Sequence, residues 1–69
     1  MPLTMAIAGQ SNQIKRINGK EEVIRFLESL GFVAGSEVTL VSQNKGDVIV
    51  KIKDSRIAIS REMARRILI

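Results

Sequence analysis

The chain has no cysteine and no histidine, and it has only two aromatic residues, Phe26 and Phe32. Without thiols or imidazoles it cannot form a disulfide, use a cysteine nucleophile or a histidine base, or bind zinc through Cys and His ligands. The disulfides and structural metals that stabilise many very small proteins are therefore excluded. With so few aromatics, the core must be built from Ile, Val and Leu, and this favours β-structure.

Long apolar runs are also missing. No stretch approaches the roughly 18 residues that a membrane helix needs, and no signal-peptide pattern opens the chain. A chain of 69 residues has room for a single thin core, so we expect one domain over residues 1–69. We therefore expect a cytoplasmic monomer that does not insert into a membrane.

What the chain has in excess is positive charge. Eleven Lys and Arg against seven Asp and Glu give a net charge of +4 and an isoelectric point near 10.1. Such a balance indicates an anionic partner without identifying it. A nucleic acid and an acidic protein both fit.

One amphipathic helix is predicted over about residues 20–30. Its apolar residues recur at i, i+3, i+4 and i+7 and form a single stripe: Val23, Phe26, Leu27 and Leu30. Asn18 is the candidate N-cap, and Gly31 can take the left-handed conformation that ends many helices. The stripe predicts that Phe26 lies in the core. Phe32, in a turn flanked by glycine, is a candidate for a partly exposed contact with a partner.

Alternating apolar residues and turn signals predict short strands around this helix. The predicted strands cover residues 13–17, 37–43, 48–53, 56–59 and 66–69. Asn44-Lys45-Gly46 is predicted to join the second and third strands, and Asp54-Ser55 to form a two-residue hairpin loop. Ser60 is the candidate N-cap of a short helical turn before the last strand. Five short strands and an inserted helix suit a small, partly closed barrel, since closure hides strand edges.

The acidic residues are dispersed and form no recognisable catalytic pair. Glu21 lies four residues before Arg25, which indicates an ion-paired helix surface. Gly19-Lys20 lacks the flanking residues of a phosphate-binding loop, and a tight ferrous site is disfavoured without imidazole or thiolate. We therefore expect no enzymatic activity, no cofactor, no metal site and no small-molecule substrate.

The basic residues near the last hairpin are more informative. If Asp54 and Ser55 form its loop, Lys53 faces Arg56 on the outward side and Lys51 lies two residues back. Like charges placed opposite each other cost up to about 1 kcal/mol unless an anion offsets them. Lys51, Lys53 and Arg56 are therefore candidates for binding an anionic partner, while a merely solvated hairpin remains the alternative.

A second set of cations is formed by Arg61, Arg65 and Arg66, with Arg25 and Lys20 elsewhere. It raises a nucleic-acid-binding barrel as the alternative function. Proteins that bind single strands usually offer stacking aromatics on a barrel face. Neither phenylalanine is predicted to form such a platform, so nucleic acid is the less favoured partner.

The order of several short features along the chain resembles the FeoA family. The most specific are residues 30–35, Leu-Gly-Phe-Val-Ala-Gly, and residues 56–59, Arg-Ile-Ala-Ile, followed by Ala64 and Ile67. The resemblance implies an SH3-like five-stranded barrel with a helix inserted after the first strand. It also implies a non-enzymatic adaptor or regulator of ferrous iron uptake that binds the cytosolic part of the membrane transporter FeoB.

That resemblance makes the transporter the expected partner and the inner face of the cell membrane the place of recruitment. The same domain type forms the C-terminal module of iron- or manganese-dependent repressors. This chain starts at Met1 with no room for a helix-turn-helix, so a stand-alone protein is expected. The residues expected to contact the partner are Lys51, Lys53, Arg56, Arg25 and Phe32.

Overall fold

The computed structural model describes residues 1–69 as a mainly β structure with two antiparallel sheets and two short helices. In chain order the elements are a 3-10 turn Leu3–Met5, β1 Ser11–Gln13, β2 Arg16–Ile17, α1 Glu21–Ser29, β3 Glu37–Gln43, β4 Asp47–Ile52, β5 Ser55–Ser60, α2 Arg61–Arg65 and β6 Ile67–Leu68. One sheet has the order β1-β3-β4-β5 and the other pairs β2 with β6. The predicted mainly β class, with one inserted helix and a short helical turn near the C-terminus, is confirmed.

The predicted first strand, residues 13–17, divides into two because the chain changes sheets within it. The Ile14 N–H donates to the Ser36 carbonyl at 2.8 Å, on the side of β3. The next N–H, that of Lys15, donates to the Leu68 carbonyl at 2.7 Å, on the side of β6. Strands that switch sheets in this way make the corners of small barrels. The structure consequently has six strands where five were predicted.

Helix α1 begins without the predicted cap. Lys20 occupies the N-cap position and no side chain accepts a hydrogen bond there. The backbone N–H of Asn18 instead donates to the Arg66 carbonyl at 2.7 Å, which ties Asn18 to the end of α2. The prediction that Asn18 caps the helix is therefore wrong.

The C-terminus of α1 is a Schellman motif. Gly31, at a φ of 105°, donates to the Glu28 carbonyl, and Phe32 donates to the Leu27 carbonyl, each at 3.0 Å. This motif normally brings the residue after the glycine against the last turn of the helix. Phe32 and Leu27 are indeed both fully buried.

The two phenylalanines therefore exchange their predicted environments. Phe32 is fully buried, and Phe26 keeps 51% of its surface exposed. Consecutive helical residues lie about 100° apart, and the buried stripe is centred on Leu27, so Phe26 falls at its margin. The predictions of a core Phe26 and a partly exposed Phe32 are both wrong.

The hairpin between β4 and β5 turns one residue earlier than predicted. Ile52 pairs with Ser55 and Lys51 with Arg56, so the loop is Lys53-Asp54. The observed register pairs all six residues of β4 and sets Val48 opposite Ile59 in the core. The predicted register would have placed Val48 opposite the first residue of α2.

The C-terminal part of the chain follows the sequence pattern closely. The Ser60 hydroxyl accepts a hydrogen bond from the Met63 N–H at 3.1 Å and caps α2, as predicted. The predicted last strand is present as β6, although it is only two residues long. Neither helix is long and apolar enough to cross a membrane.

Candidate functional site

Lys51, Lys53 and Arg56 form an exposed group of cations, called here the basic hairpin. Lys51 lies directly opposite Arg56 on the outward face of the sheet, and Lys53 is the first residue of the loop. The chain contains two ion pairs, Arg25 with Glu21 and Arg66 with Glu62. No carboxylate lies within ion-pair distance of the basic hairpin, so its three charges are free for an external anion.

A shallow groove of about 290 Å³ runs beside the basic hairpin. The residues that line it are all polar or charged: Ser11, Glu37, Thr39, Lys51 and Lys53. The register explains this grouping, because Ser11 lies across from Thr39 and Thr39 across from Lys51 on neighbouring strands. The Ser11 hydroxyl donates to the Glu37 carboxylate at 3.2 Å. The groove suits charged or polar groups of a partner rather than an apolar ligand.

Arg25 is not part of this surface. It lies on α1, where its guanidinium pairs with the Glu21 carboxylate at 2.5 Å. The groove of about 460 Å³ around it is lined only by residues of that helix and its N-cap: Lys20, Glu21, Glu22 and Arg25. The structure therefore brings together three of the five predicted contact residues, places Arg25 elsewhere and buries Phe32 in the core.

Phe26 is the candidate contact residue that sequence reasoning missed. It is one of four large apolar residues that the structure exposes, and it projects from α1 near Arg25. The helical spacing of i, i+3 and i+4 from Val23 includes both Phe26 and Leu27, so the pattern carried no signal against a buried Phe26.

The second set of cations does not form one patch. The Arg66 side chain lies over Gly19, where a Cβ atom would come within 3.0 Å of its Nη1. The same guanidinium pairs with Glu62 at 3.5 Å, so Arg66 acts within the fold. Arg61 and Arg65 remain exposed on α2. The outward face of the sheet carries no aromatic residue, so it offers no stacking platform for bases.

The carboxylates provide no evident metal centre. No group of three or more His, Cys, Asp or Glu side chains lies close enough to hold a metal ion. Glu37 contacts Ser11, while Glu21 and Glu62 are engaged with arginines on their own helices.

The model of the FeoA domain family matches residues 1–69, which is the whole chain. The chain belongs to the FeoA family. A candidate Fe(2+) transport protein A of Methanocaldococcus jannaschii is 32% identical over 68 residues, covering 99% of this chain and 83% of the relative. The FeoA family is involved in ferrous iron transport.

Solved structures of FeoA proteins share this fold. An iron uptake regulatory protein (FeoA) superposes with a TM-score of 0.89 at 24% identity, covering 97% of this chain and 91% of that one. The FeoA of Stenotrophomonas maltophilia, solved with zinc and described as a prokaryotic SH3 domain protein, gives a TM-score of 0.83 at 24% identity, covering 99% and 87%. These likenesses establish that this chain of the FeoA family is an SH3-like barrel.

Proposed function

We propose that this FeoA-family protein is a non-enzymatic regulator of ferrous iron uptake that binds the cytosolic part of the transporter FeoB. Family membership supports the link to ferrous iron transport. The S. maltophilia FeoA is described as a candidate ferrous iron transport activating factor, which favours a regulatory role for this chain as well. The protein would act in the cytoplasm, recruited to the inner face of the membrane through the transporter.

The observation that carries the proposed contact surface is the unpaired charge of the basic hairpin. Lys51 and Arg56 face each other across two strands with no carboxylate in ion-pair contact. A partner carboxylate placed between them would replace a cross-strand repulsion by two attractions. Complementary charge of this kind speeds association and makes binding sensitive to salt. The proposed partner surface is therefore acidic.

Charge reversal tests this surface. The double variant Lys51→Glu, Arg56→Glu should bind the isolated cytosolic domain of FeoB about tenfold more weakly, equivalent to about 1.4 kcal/mol. Its binding should also lose much of the salt dependence. The matched control is Lys45→Glu, Arg65→Glu, which changes the net charge equally at exposed positions away from the basic hairpin and should bind nearly as the natural chain does.

Isothermal titration calorimetry at two salt concentrations gives both quantities. Unchanged affinity and salt slope in the hairpin variant would remove the basic hairpin from the interface. If the natural chain does not bind the FeoB domain, the proposed partner is wrong. Chemical-shift mapping of the labelled protein against that domain would then identify any other surface that responds.

A further inference from the structure

The outer edge of β5 has no partner strand. β5 is the last strand of the four-stranded sheet and pairs with β4 alone. Apart from the pairing with β4, no backbone group of Ser55–Ser60 is hydrogen-bonded to a turn, a loop or another strand. Half of the backbone groups of an edge strand point away from its neighbour, so this edge presents unpaired donors and acceptors.

The register identifies which groups these are. In a hairpin with a two-residue loop, the residues flanking the loop exchange both hydrogen bonds, which assigns Ile52 and Ser55 as a bonded pair. At the other end of the hairpin, the Arg61 N–H donates to the Gly46 carbonyl at 3.1 Å, in agreement with this alternation. The N–H and C=O groups of Arg56 and Ala58 therefore point away from β4.

Both residues are also accessible. Arg56 and Ala58 are exposed, whereas their neighbour Ile59 is buried. Unpaired backbone groups are stable only in water or with a partner, so this part of the edge is hydrated in the free protein. The edge ends at Ser60, because Ser60 is the N-cap of α2 and its carbonyl accepts the first hydrogen bond of that helix. The open length is therefore centred on Arg56 and Ala58.

We propose that an extended acidic segment of the partner adds to β5 as a further strand of the sheet. Its backbone would hydrogen-bond Arg56 and Ala58, in the manner of peptides that augment an exposed sheet edge. Side chains on one face of a strand recur at every second residue. Carboxylates at alternate positions of the segment would thus lie beside Arg56 and within reach of Lys51. This inference rests on the proposed function and specifies how the partner is bound.

Charge selects this occupant over a second copy of the chain. Each copy carries a net charge of +4, and pairing two β5 edges would bring Arg56 and Arg61 of one copy close to the same cations of the other. An acidic segment would instead neutralise the basic hairpin while satisfying the backbone groups. The same exposed Arg56 disfavours edge-to-edge association, since charged residues on edge strands commonly prevent it.

Proline at position 58 tests the backbone contact directly. Ala58→Pro removes the outward N–H without removing a hydrogen bond to β4, and proline is tolerated at such edge positions. The variant should bind the FeoB cytosolic domain at least about tenfold more weakly than the natural chain. Ala58→Val, which keeps the N–H and suits a strand, is the matched control and should bind within about threefold.

The outcomes separate this inference from the proposed function. If Ala58→Pro binds as the natural chain does while the Lys51→Glu, Arg56→Glu variant binds weakly, strand addition is overturned and the transporter remains the partner. If the natural chain fails to bind the FeoB domain, the proposed function falls and the inference falls with it. Circular dichroism of both position-58 variants checks that they are folded.

Hydrogen exchange of the natural chain keeps the inference testable even if the proline variant does not fold. The amides of Arg56 and Ala58 should exchange rapidly in the free protein and at least about tenfold more slowly in the complex, because new hydrogen bonds protect them. The Ile57 amide, bonded to β4, should be protected in both states. No slowing at Arg56 and Ala58 overturns strand addition. If the exchange of these amides slows as the protein concentration rises in the absence of a partner, the occupant of the edge is a second copy of the chain. That result overturns the proposal of an acidic segment.

Discussion

Phe32 has the largest side chain in the fully buried core, whereas Phe26, six residues earlier, has about half of its surface in water. The two side chains are identical and lie close together in the sequence, so the difference in exposure comes from their surroundings in the fold. The Schellman motif, in which the Phe32 N–H donates to the Leu27 carbonyl, brings Phe32 back to the last turn of α1. The rotation of α1 leaves Phe26 at the margin of the apolar stripe.

This difference predicts two very different mutational effects. Phe32→Ala should lower the free energy of unfolding by about 3–5 kcal/mol, because it opens a cavity in a thin core. A loss of that size approaches the whole stability of a small domain. Phe26→Ala should lower it by less than about 1 kcal/mol, since much of the ring is already hydrated. Urea denaturation measures both, and similar losses in the two variants would contradict the assigned burial.

Individual residues could be predicted from the sequence only where a local rule decides them. Ser60 was assigned correctly as a cap because an N-cap depends on one side chain and the next few amides. The burial of Phe26 depends on the rotation of a helix against a sheet, which a stripe of four apolar residues leaves uncertain by one position. Asn18 failed as a cap because the backbone around it pairs with a residue near the other end of the chain.

At the scale of elements, the loop between β4 and β5 is the most unusual. Lys53 has a φ of 53°, a left-handed conformation at the first loop position where glycine is usual. Lys53 is the only residue of this chain, apart from glycines, that has a positive φ. The six consecutive residue pairs between β4 and β5 hold the loop in this strained conformation.

Relieving this strain should stabilise the protein. Left-handed backbone costs an L-residue roughly 1–2 kcal/mol, and glycine gives back about half of the gain through its freer unfolded state. Lys53→Gly should therefore raise the free energy of unfolding by about 0.5–1 kcal/mol over Lys53→Ala, which removes the same charge and keeps the strain. Chemical denaturation of the pair isolates the backbone effect. Equal stabilities would show that the loop tolerates a side chain without cost.

The loop also shows why register was harder to predict than the strands. In the observed register, Val50 lies opposite Ile57. In the predicted register, Ile52 would lie opposite Ile57. Both arrangements bury apolar pairs, so the pattern alone does not choose between them. The choice follows from where α2 begins, because only the observed register leaves Val48 opposite a residue of β5.

At the scale of the whole molecule, the sequence predicted the class of the fold and the barrel, while the partner-binding site remains a prediction. Net charge indicated an anionic partner, and the cations Lys51 and Arg56 do share an unpaired surface. The grouping of Ser11 and Glu37 with that surface could not be predicted, because it depends on β1 lying beside β3. The open edge of β5 could not be predicted from the sequence either, since an unpaired edge depends on the order of strands in the sheet rather than on any single residue.

The small sheet of β2 and β6 has a further consequence, which concerns the rates of folding. It joins segments near opposite ends of the chain, and Ile69 and Met1 are hydrogen-bonded beside it. Contacts so distant in sequence require closure of almost the entire chain, whereas β3, β4 and β5 are linked by short turns. We expect the three-stranded meander to form in the transition state and the end sheet to join after it.

Stopped-flow chevrons would measure this order of events. Ile67→Val, in the end sheet, should mainly accelerate unfolding, whereas Val50→Ala, in the meander, should mainly slow folding. The reverse pattern would place closure of the ends before the barrier. If the end sheet does form last, it also opens first, and the lifetime of the folded protein is set by two short strands far from the basic hairpin.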